Sequence, residues 1–121
     1  MTRDALIADL ETYQGEAEEH DFLAPMLHLL RTEPRCFYRD CCFPGHITGS
    51  GLLMNKQSDK ILLNHHKIMN IWVGFGGHAD GDENIARVAQ REVIEESGIE
   101  QVQFALDGIW DIDIHPIPFN A

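Results

Sequence analysis

The sequence from Gly77 to Ile99, GHADGDENIARVAQREVIEESGI, contains a glutamate-rich segment that decides the fold around it. Gly98 predicts a helix end, because glycine adopts the left-handed conformation that commonly terminates a helix. We therefore predict a helix from about Asp82 to Ser97. Apolar residues at helical spacing begin one face of this helix: Ile85, Val88 and Ala89.

The same helical face becomes acidic in its second half. The next positions on the apolar stripe are Glu92 and Glu96, and Glu95 lies at its border. Like charges four residues apart repel by about 0.2–0.5 kcal/mol. Carboxylates in the last turn also meet the negative end of the helix dipole, which costs about 0.3–1 kcal/mol. A bound cation would offset both effects, so this departure from local preferences indicates a functional site.

Three carboxylates on one helix face would form an oxygen-rich site. Such a site suits Mg²⁺ or Mn²⁺ rather than zinc, which prefers histidine and cysteine. Mg²⁺ usually keeps several waters, and substrate phosphates complete its coordination. The pattern therefore predicts attack of a metal-activated water on a diphosphate.

The spacing of these residues matches a known signature. Gly77 is followed by five residues and Glu83, and seven further residues lead to the run from Arg91 to Ile99, REVIEESGI. This pattern resembles the Nudix box, the loop-helix-loop signature of the Nudix hydrolases. All nine restricted positions of that signature are filled over 23 residues.

The resemblance implies roles for individual residues around the helix. It makes Glu95 and Glu96 metal ligands, and Glu92 a further ligand or the general base. A backbone carbonyl near Gly76 often completes the metal site in family members. The resemblance thus implies a hydrolase that cleaves a diphosphate bond in a nucleoside diphosphate linked to another group, with Mg²⁺ or Mn²⁺ as cofactor.

Further residues of the signature are expected to support this catalytic site. The resemblance implies that Arg91 orients the glutamates, and pairing with Glu83 near the helix start is one way to do so. The glycines that precede the helix, Gly77 among them, let the backbone approach an ion and phosphates closely. His78 follows directly and could touch the substrate, although a structural or solvated histidine is the competing interpretation.

The rest of the chain predicts two N-terminal helices and several strands. Thr2 is a suitable cap for the first helix, and a second helix is expected from near Asp21 until Pro34 ends it. Five segments are strand-like: Ile47–Asn55, Lys60–His66 and Ile71–Phe75 before the glutamate-rich helix, and Val102–Ala105 and Ile109–Ile114 after it.

This order of elements predicts an α/β fold with one domain over residues 1–121. Residues 1–45 would form the helical segment and a loop, and residues 46–121 the sheet with the glutamate-rich helix. The resemblance implies an α/β/α sandwich with a mixed sheet, in which helices lie on both faces.

The chain after the signature is short for this family. Only 22 residues follow Ile99, whereas family members usually add further strands and a C-terminal helix there. We therefore expect an incomplete sandwich, and a second copy or another chain that completes the sheet. The alternative function is a non-catalytic nucleotide-binding module or an inactive fragment.

Composition limits the partners of the protein. The net charge of −11 argues against binding nucleic acid polymers or anionic membranes, because phosphate contacts need Lys and Arg. A small nucleotide that arrives with a metal ion remains compatible with this charge. Three cysteines, no secretory signal and no apolar run of about 18 residues predict a cytoplasmic protein.

Two further groups of residues leave alternatives open. His65 and His66 also flank the predicted site, and a structural role is again the competing interpretation. Cys41 and Cys42 precede the first strand, and a cysteine acts in the related isopentenyl diphosphate isomerases. Those enzymes typically carry a degenerate signature, whereas this one is intact, which favours the hydrolase.

Overall fold

The computed structural model describes residues 2–41, 45–66, 70–105 and 108–115, except for the side chain of His66. It is a small mixed α/β protein with three α-helices and short antiparallel strands in these ranges. Cys42 and the tail from Pro116 onward lie outside the described residues. None of the helices in the described ranges is long and apolar enough to cross a membrane.

Two helices form the N-terminal part of the fold, as the sequence predicts. Helix α1 spans Arg3–Glu11, and the Thr2 hydroxyl caps it by accepting a hydrogen bond from the Ala5 N–H at 3.4 Å. A short 3-10 helix, Ala17–Glu19, leads directly into α2, His20–Thr32, which ends before Pro34. Pro25 lies inside α2, and its missing N–H removes the helical hydrogen bond to the carbonyl of Asp21.

Six short strands precede the third helix and form three antiparallel ladders in the described residues. The strands are β1 Thr48–Gly51, β2 Leu53–Met54, β3 Ile61–Leu62, β4 Asn64–His66, β5 Ile71–Val73 and β6 Phe75–His78. Strand β1 pairs with β6, β2 with β3 and β4 with β5. The three predicted strands before the helix therefore exist, but each is divided in two, for example at Gly74 between β5 and β6.

The third helix, α3, spans Ile85–Ser97 and packs across β1 and β6. Its close approach depends on glycines of β1. A β-carbon on Gly49 would lie 2.9 Å from Val88 Cγ1, and one on Gly51 would lie 2.8 Å from Val93 Cγ2. Larger residues in β1 would push the helix outward, so these glycines set the distance between α3 and the ladder.

The core joins the N-terminal helices to this helix-ladder unit. Its buried residues come from the helices and the segments between elements: Leu6 and Leu10 in α1, Leu30 in α2, Cys36 and Phe37 in the loop after it, Ala79 after β6, Val88 in α3, and Ile112. Residues before position 45 and residues after it therefore share one core.

The prediction of strands after α3 is wrong for the described residues. Residues 102–105 and 109–114 are irregular. A side chain takes the place of a strand partner: the Ile112 N–H donates to Glu19 Oε2 at 3.1 Å. The Trp110 carbonyl accepts a hydrogen bond from the Tyr13 hydroxyl at 3.2 Å. The alternation of Ile and Asp therefore places Ile112 in the core without forming a ladder.

The ladders are also separate and antiparallel throughout the described residues, so the mixed sheet is not observed there. A parallel pair needs a long crossover connection, and α3 is the natural crossover in this chain. The segments that follow α3 were expected to supply the second strand of such a pair. Trp110 and Ile112 are instead bonded to Tyr13 and Glu19, and no parallel pair is found in the part of the chain that the structure describes.

Candidate active site

The glutamate-rich helix is positioned by hydrogen bonds at both ends. Asn84 caps its start, since the Asn84 side-chain oxygen accepts from the Arg87 N–H at 3.1 Å. Asp82 pairs with the Arg87 guanidinium at 2.8 Å. This pairing is the largest of the causes that lower the pKa of Asp82 to about 2. Gly98 ends the helix in the left-handed conformation, with φ at 76°, which confirms the predicted stop. The helix begins three residues later than expected, because Asn84 is its cap and Asp82 and Glu83 precede it.

Glu92 lies directly against the backbone of β6. A β-carbon on Gly77 would lie 2.6 Å from Glu92 Cδ and 2.8 Å from each carboxylate oxygen. Only glycine therefore allows the carboxylate to approach the strand at this point. The sequence predicts that Gly77 lets the backbone approach a ligand closely. In the structure, the Glu92 carboxylate occupies the space beside Gly77 that a β-carbon would fill.

Glu96 lies one turn further along and contacts the same strand. Its Oε1 atom accepts a hydrogen bond from the Gly76 N–H at 3.1 Å, and Oε2 accepts one from Asn64 Nδ2 at 3.2 Å. Burial, followed by the neighbouring Glu92, raises the pKa of the Glu96 carboxyl. A group whose charge is disfavoured in this way would be stabilised by a nearby cation.

The Gly76 carbonyl belongs to the same edge of β6. In a strand, the N–H and C=O of one residue point to the same side. The Gly76 carbonyl oxygen is therefore placed on the side where Glu96 lies. The structure places Gly76, Gly77, Glu92 and Glu96 next to one another.

Arg91 and Glu83 are held in different pairs from the one expected. Arg91 Nη2 donates to the His78 carbonyl at 3.0 Å and lies 3.4 Å from Glu92 Oε1. Glu83 instead accepts a hydrogen bond from the Arg3 N–H at 3.0 Å, and its other oxygen lies 3.6 Å from Arg3 Nε. The suggested pairing of Arg91 with Glu83 is therefore wrong, because α1 brings a closer cation to Glu83.

The donor set is only partly assembled as a metal centre. Glu95 is exposed on α3, and the described residues contain no group of three or more His, Cys, Asp or Glu side chains that could hold a metal ion. Glu92, Glu96 and the backbone of Gly76 are all hard oxygen donors, which fit Mg²⁺ or Mn²⁺ by their chemistry. A centre of this kind would need waters or substrate phosphates to complete it.

His78 lies at the border of this site and contacts a residue that the sequence did not single out. The His46 and His78 rings have centroids 5.3 Å apart. Burial first, and then the charge of Arg39, lowers the pKa of His78. Arg39 itself is held by Asp80 through two hydrogen bonds of 3.0 and 2.9 Å.

Several neighbours of the site were missed by the sequence interpretation. Asn64, Arg3 and His46 contact it from positions 32 to 80 residues away along the chain, and local patterns carry no signal for such contacts. The glycine-rich composition of β1, TGSG, could have indicated close helix packing. His65 lies on β4 beside Trp72, with ring centroids 4.8 Å apart.

Comparisons with known proteins add no family assignment to this geometry. No model of a known protein family matches the chain, and no curated protein is found to match it. The likeness to the Nudix hydrolases is therefore carried by residues 77–99 alone.

Proposed function

We propose that this protein is a Nudix-type hydrolase that uses Mg²⁺ or Mn²⁺ to cleave a diphosphate bond in a nucleoside diphosphate linked to another group. The observation that carries the proposal is the placement of Glu92 and Glu96 against the backbone of Gly77 and Gly76. These two carboxylates and the backbone carbonyl of Gly76 are hard oxygen donors, the kind of ligand that Mg²⁺ and Mn²⁺ take. Burial, and to a smaller extent the charge of Glu92, raise the pKa of Glu96, and a nearby cation would favour its charged form.

The roles of the residues follow from their contacts. Glu96 and Glu92 would hold the ion together with the Gly76 carbonyl, and Glu95 would join them from the exposed side of α3. A bound divalent ion neutralises phosphate charge and lowers the pKa of a bound water. Glu92, which carries the Arg91 contact, is also the candidate general base.

Arg91 and Asn64 act as positioning residues in this proposal. Arg91 is fixed by the His78 carbonyl and therefore holds the Glu92 carboxylate in one place. Asn64 donates to Glu96 Oε2, which orients the other oxygen toward Gly76. Glu83 lies just before the start of α3. Its pair with Arg3 connects the loop before α3 to α1.

The proposal extends to the finer architecture and to the partners. It includes a Nudix-like sandwich with a mixed sheet, a cytoplasmic location, and a small nucleotide as substrate with His78 and Gly77 at its border. It also includes a second copy or another chain that completes the sheet. The support for the last point is the exposure of large apolar residues on the short ladders: Ile61, Leu62, Ile71 and Trp72. Light scattering tests it, and a monodisperse monomer with a sharp melt would contradict it.

The proposed activity is tested by measuring product release from a panel of nucleoside diphosphate derivatives, with and without Mg²⁺ or Mn²⁺. We expect turnover that requires the divalent ion and rises at alkaline pH, because the attacking water must lose a proton. Turnover that persists in excess chelator would contradict the metal-dependent mechanism. The matched control for loss of one acidic charge is Glu100→Gln, since Glu100 is exposed just beyond the helix.

A non-catalytic nucleotide-binding module is the second candidate. The specific observation in its favour is that no three metal-binding side chains converge in the described residues. Calorimetry separates the two candidates: a module would bind a nucleoside diphosphate without releasing product under any metal condition. Binding accompanied by metal-dependent release would exclude the module.

A further inference from the structure

Two histidines beside the candidate active site share an unusual feature. His46 Nε2 and His78 Nδ1 are both buried and have no hydrogen-bond partner within the described residues. His46 lies just before β1, and His78 ends β6, where it is paired with Thr48. The two rings lie 5.3 Å apart between centroids, with planes tilted by 32°.

Buried polar atoms in native proteins are nearly always hydrogen-bonded, so an unpaired one calls for a missing partner such as a water or an ion. Two such atoms in adjacent rings are less easily explained as a chance defect of packing. Both are nitrogens of imidazole, the commonest metal-binding side chain. One ion or water bonded to both atoms would supply the missing partner of each.

The hydrogen bonding of His46 fixes which of its nitrogens is free. His46 Nδ1 lies 3.3 Å from the Cys41 carbonyl oxygen, which can only accept. In the neutral ring Nδ1 therefore carries the hydrogen, and Nε2 carries the lone pair. A backbone carbonyl holding one imidazole nitrogen in this way is the arrangement that orients histidine ligands in metal sites.

The spacing of the rings fits two imidazoles on one ion. Zinc–nitrogen distances of about 2.0–2.1 Å and tetrahedral geometry place two such ring centroids about 5 Å apart. The observed 5.3 Å agrees with this spacing.

The local charge does not prevent a cation from binding. Each arginine near the rings is already paired with a carboxylate. Arg39 forms a two-point contact with Asp80, and Arg91 lies 3.4 Å from Glu92. The positive and negative side chains next to the rings therefore balance.

We propose that His46 and His78 form a two-histidine site for a borderline divalent transition metal, Zn²⁺, with water at the remaining positions. The site would connect the segment before β1 to the end of β6. It is separate from the carboxylate site in chemistry, because imidazole suits Zn²⁺ whereas carboxylates and carbonyls suit Mg²⁺. It does not depend on the proposed hydrolase activity.

The test is a titration of the full chain with Zn²⁺ by calorimetry in the presence of saturating Mg²⁺. We expect the wild type to bind Zn²⁺. The affinity for Zn²⁺ should be at least about 10-fold weaker in His46→Gln and in His78→Gln, on the scale of disturbing a metal-site histidine. His28→Gln is the matched control, since His28 is exposed on α2, and its affinity should be unchanged. Glu96→Gln should also keep the wild-type affinity for Zn²⁺.

Equal affinity in the wild type and both site variants would overturn the proposal. So would loss of Zn²⁺ binding in Glu96→Gln alone, which would place the ion among the carboxylates. Because a histidine variant could fail to fold, a second measurement uses only the wild type. Nitrogen-detected NMR of the imidazole rings should show Zn²⁺ shifting His46 Nε2 and His78 Nδ1, and shifts confined to other histidines would contradict the site.

Discussion

Two regions of this protein respond differently to similar sequence patterns. In the unit of α3, β1 and β6, a stop at Gly98 and an apolar stripe agree, and the predicted helix forms, although it begins at Ile85 rather than at Asp82. In residues 102–115, only an alternation of apolar and polar residues is present, and no strand forms in the described part. Agreement among several local signals therefore determines structure more reliably than one periodic pattern.

The difference extends to how each region is held. The helix unit is fixed by close packing of Val88 and Val93 against Gly49 and Gly51, which leaves no room for a β-carbon on either glycine. The later segment is fixed by polar contacts to Tyr13 and Glu19 from the N-terminal region. Burial of Ile112 is the exception, since this side chain joins the main core. Perturbation of the helix unit should accordingly have the larger effects.

The largest effect is expected for Glu96→Gln. Removing this carboxylate should reduce metal-dependent turnover at least about 10²-fold, on the scale of a positioned catalytic group. The fold should be unaffected or slightly stabilised, because burial and Glu92 already disfavour the charged form. Steady-state release assays and thermal melts measure the two results. Wild-type turnover in Glu96→Gln, or equal losses in Glu100→Gln, would remove Glu96 from the site.

The packing of α3 is tested by Gly49→Ala. The added methyl would lie 2.9 Å from Val88 Cγ1 and 3.1 Å from the backbone carbonyl of Ile85, so the helix must shift. We expect a loss of about 1–3 kcal/mol in the free energy of unfolding, as in other overpacked cores. Urea denaturation measures it. Gly45→Ala is the matched control, because no atom of the described residues lies within 4 Å of a β-carbon there. If both variants had the same stability, the close packing would not be the source of order in this unit.

The sequence predicts the elements of the helix unit but not the contacts around its site. Thr2, Gly98 and the two N-terminal helices are confirmed because each depends on interactions within a few residues. The pair of Arg3 with Glu83 spans 80 residues, and the bond of Asn64 to Glu96 spans 32. Contacts at such separation are set by how elements pack, and a single sequence shows no pattern for them.

The same reasoning explains the errors in the later segment. Glu19 accepts from the Ile112 and Glu16 N–H groups, and these bonds lower its pKa to about 2. A run of acidic residues before α2 gave no sign that one of them is buried and pairs with a segment 93 residues away. The alternation in Ile109–Ile114 predicts a strand, but the Ile112 N–H bonds to the Glu19 side chain instead of to a neighbouring strand.

A smaller effect is expected at the cap of α3. Asn84→Ala would leave the Arg87 N–H without its acceptor, which costs about 1 kcal/mol for such caps. Asn84→Asp should retain most of the stability, because its carboxylate can accept the same bond. Thermal unfolding compares the two variants with the wild type. Equal stability of Asn84→Ala and Asn84→Asp would show that the start of this helix is fixed by packing rather than by its cap.

The smallest effect is expected at the anchor of the later segment, through Tyr13→Phe. The Tyr13 hydroxyl donates to Glu19 Oε2 at 2.9 Å, and its loss should cost about 0.5–1.5 kcal/mol near neutral pH. Burial and then this bond raise the pKa of Tyr13 from 10.0 to about 12. A raised folded-state pKa means that the folded protein holds this proton more tightly than the unfolded chain. The stabilisation is thus fully present below pH 10 and is lost as the pH rises toward 12. Denaturation of wild type and Tyr13→Phe between pH 8 and 12 should show two stabilities that converge at the alkaline end. A constant difference across this range would mean that Tyr13 supports residues 109–112 through its ring and not through its hydroxyl.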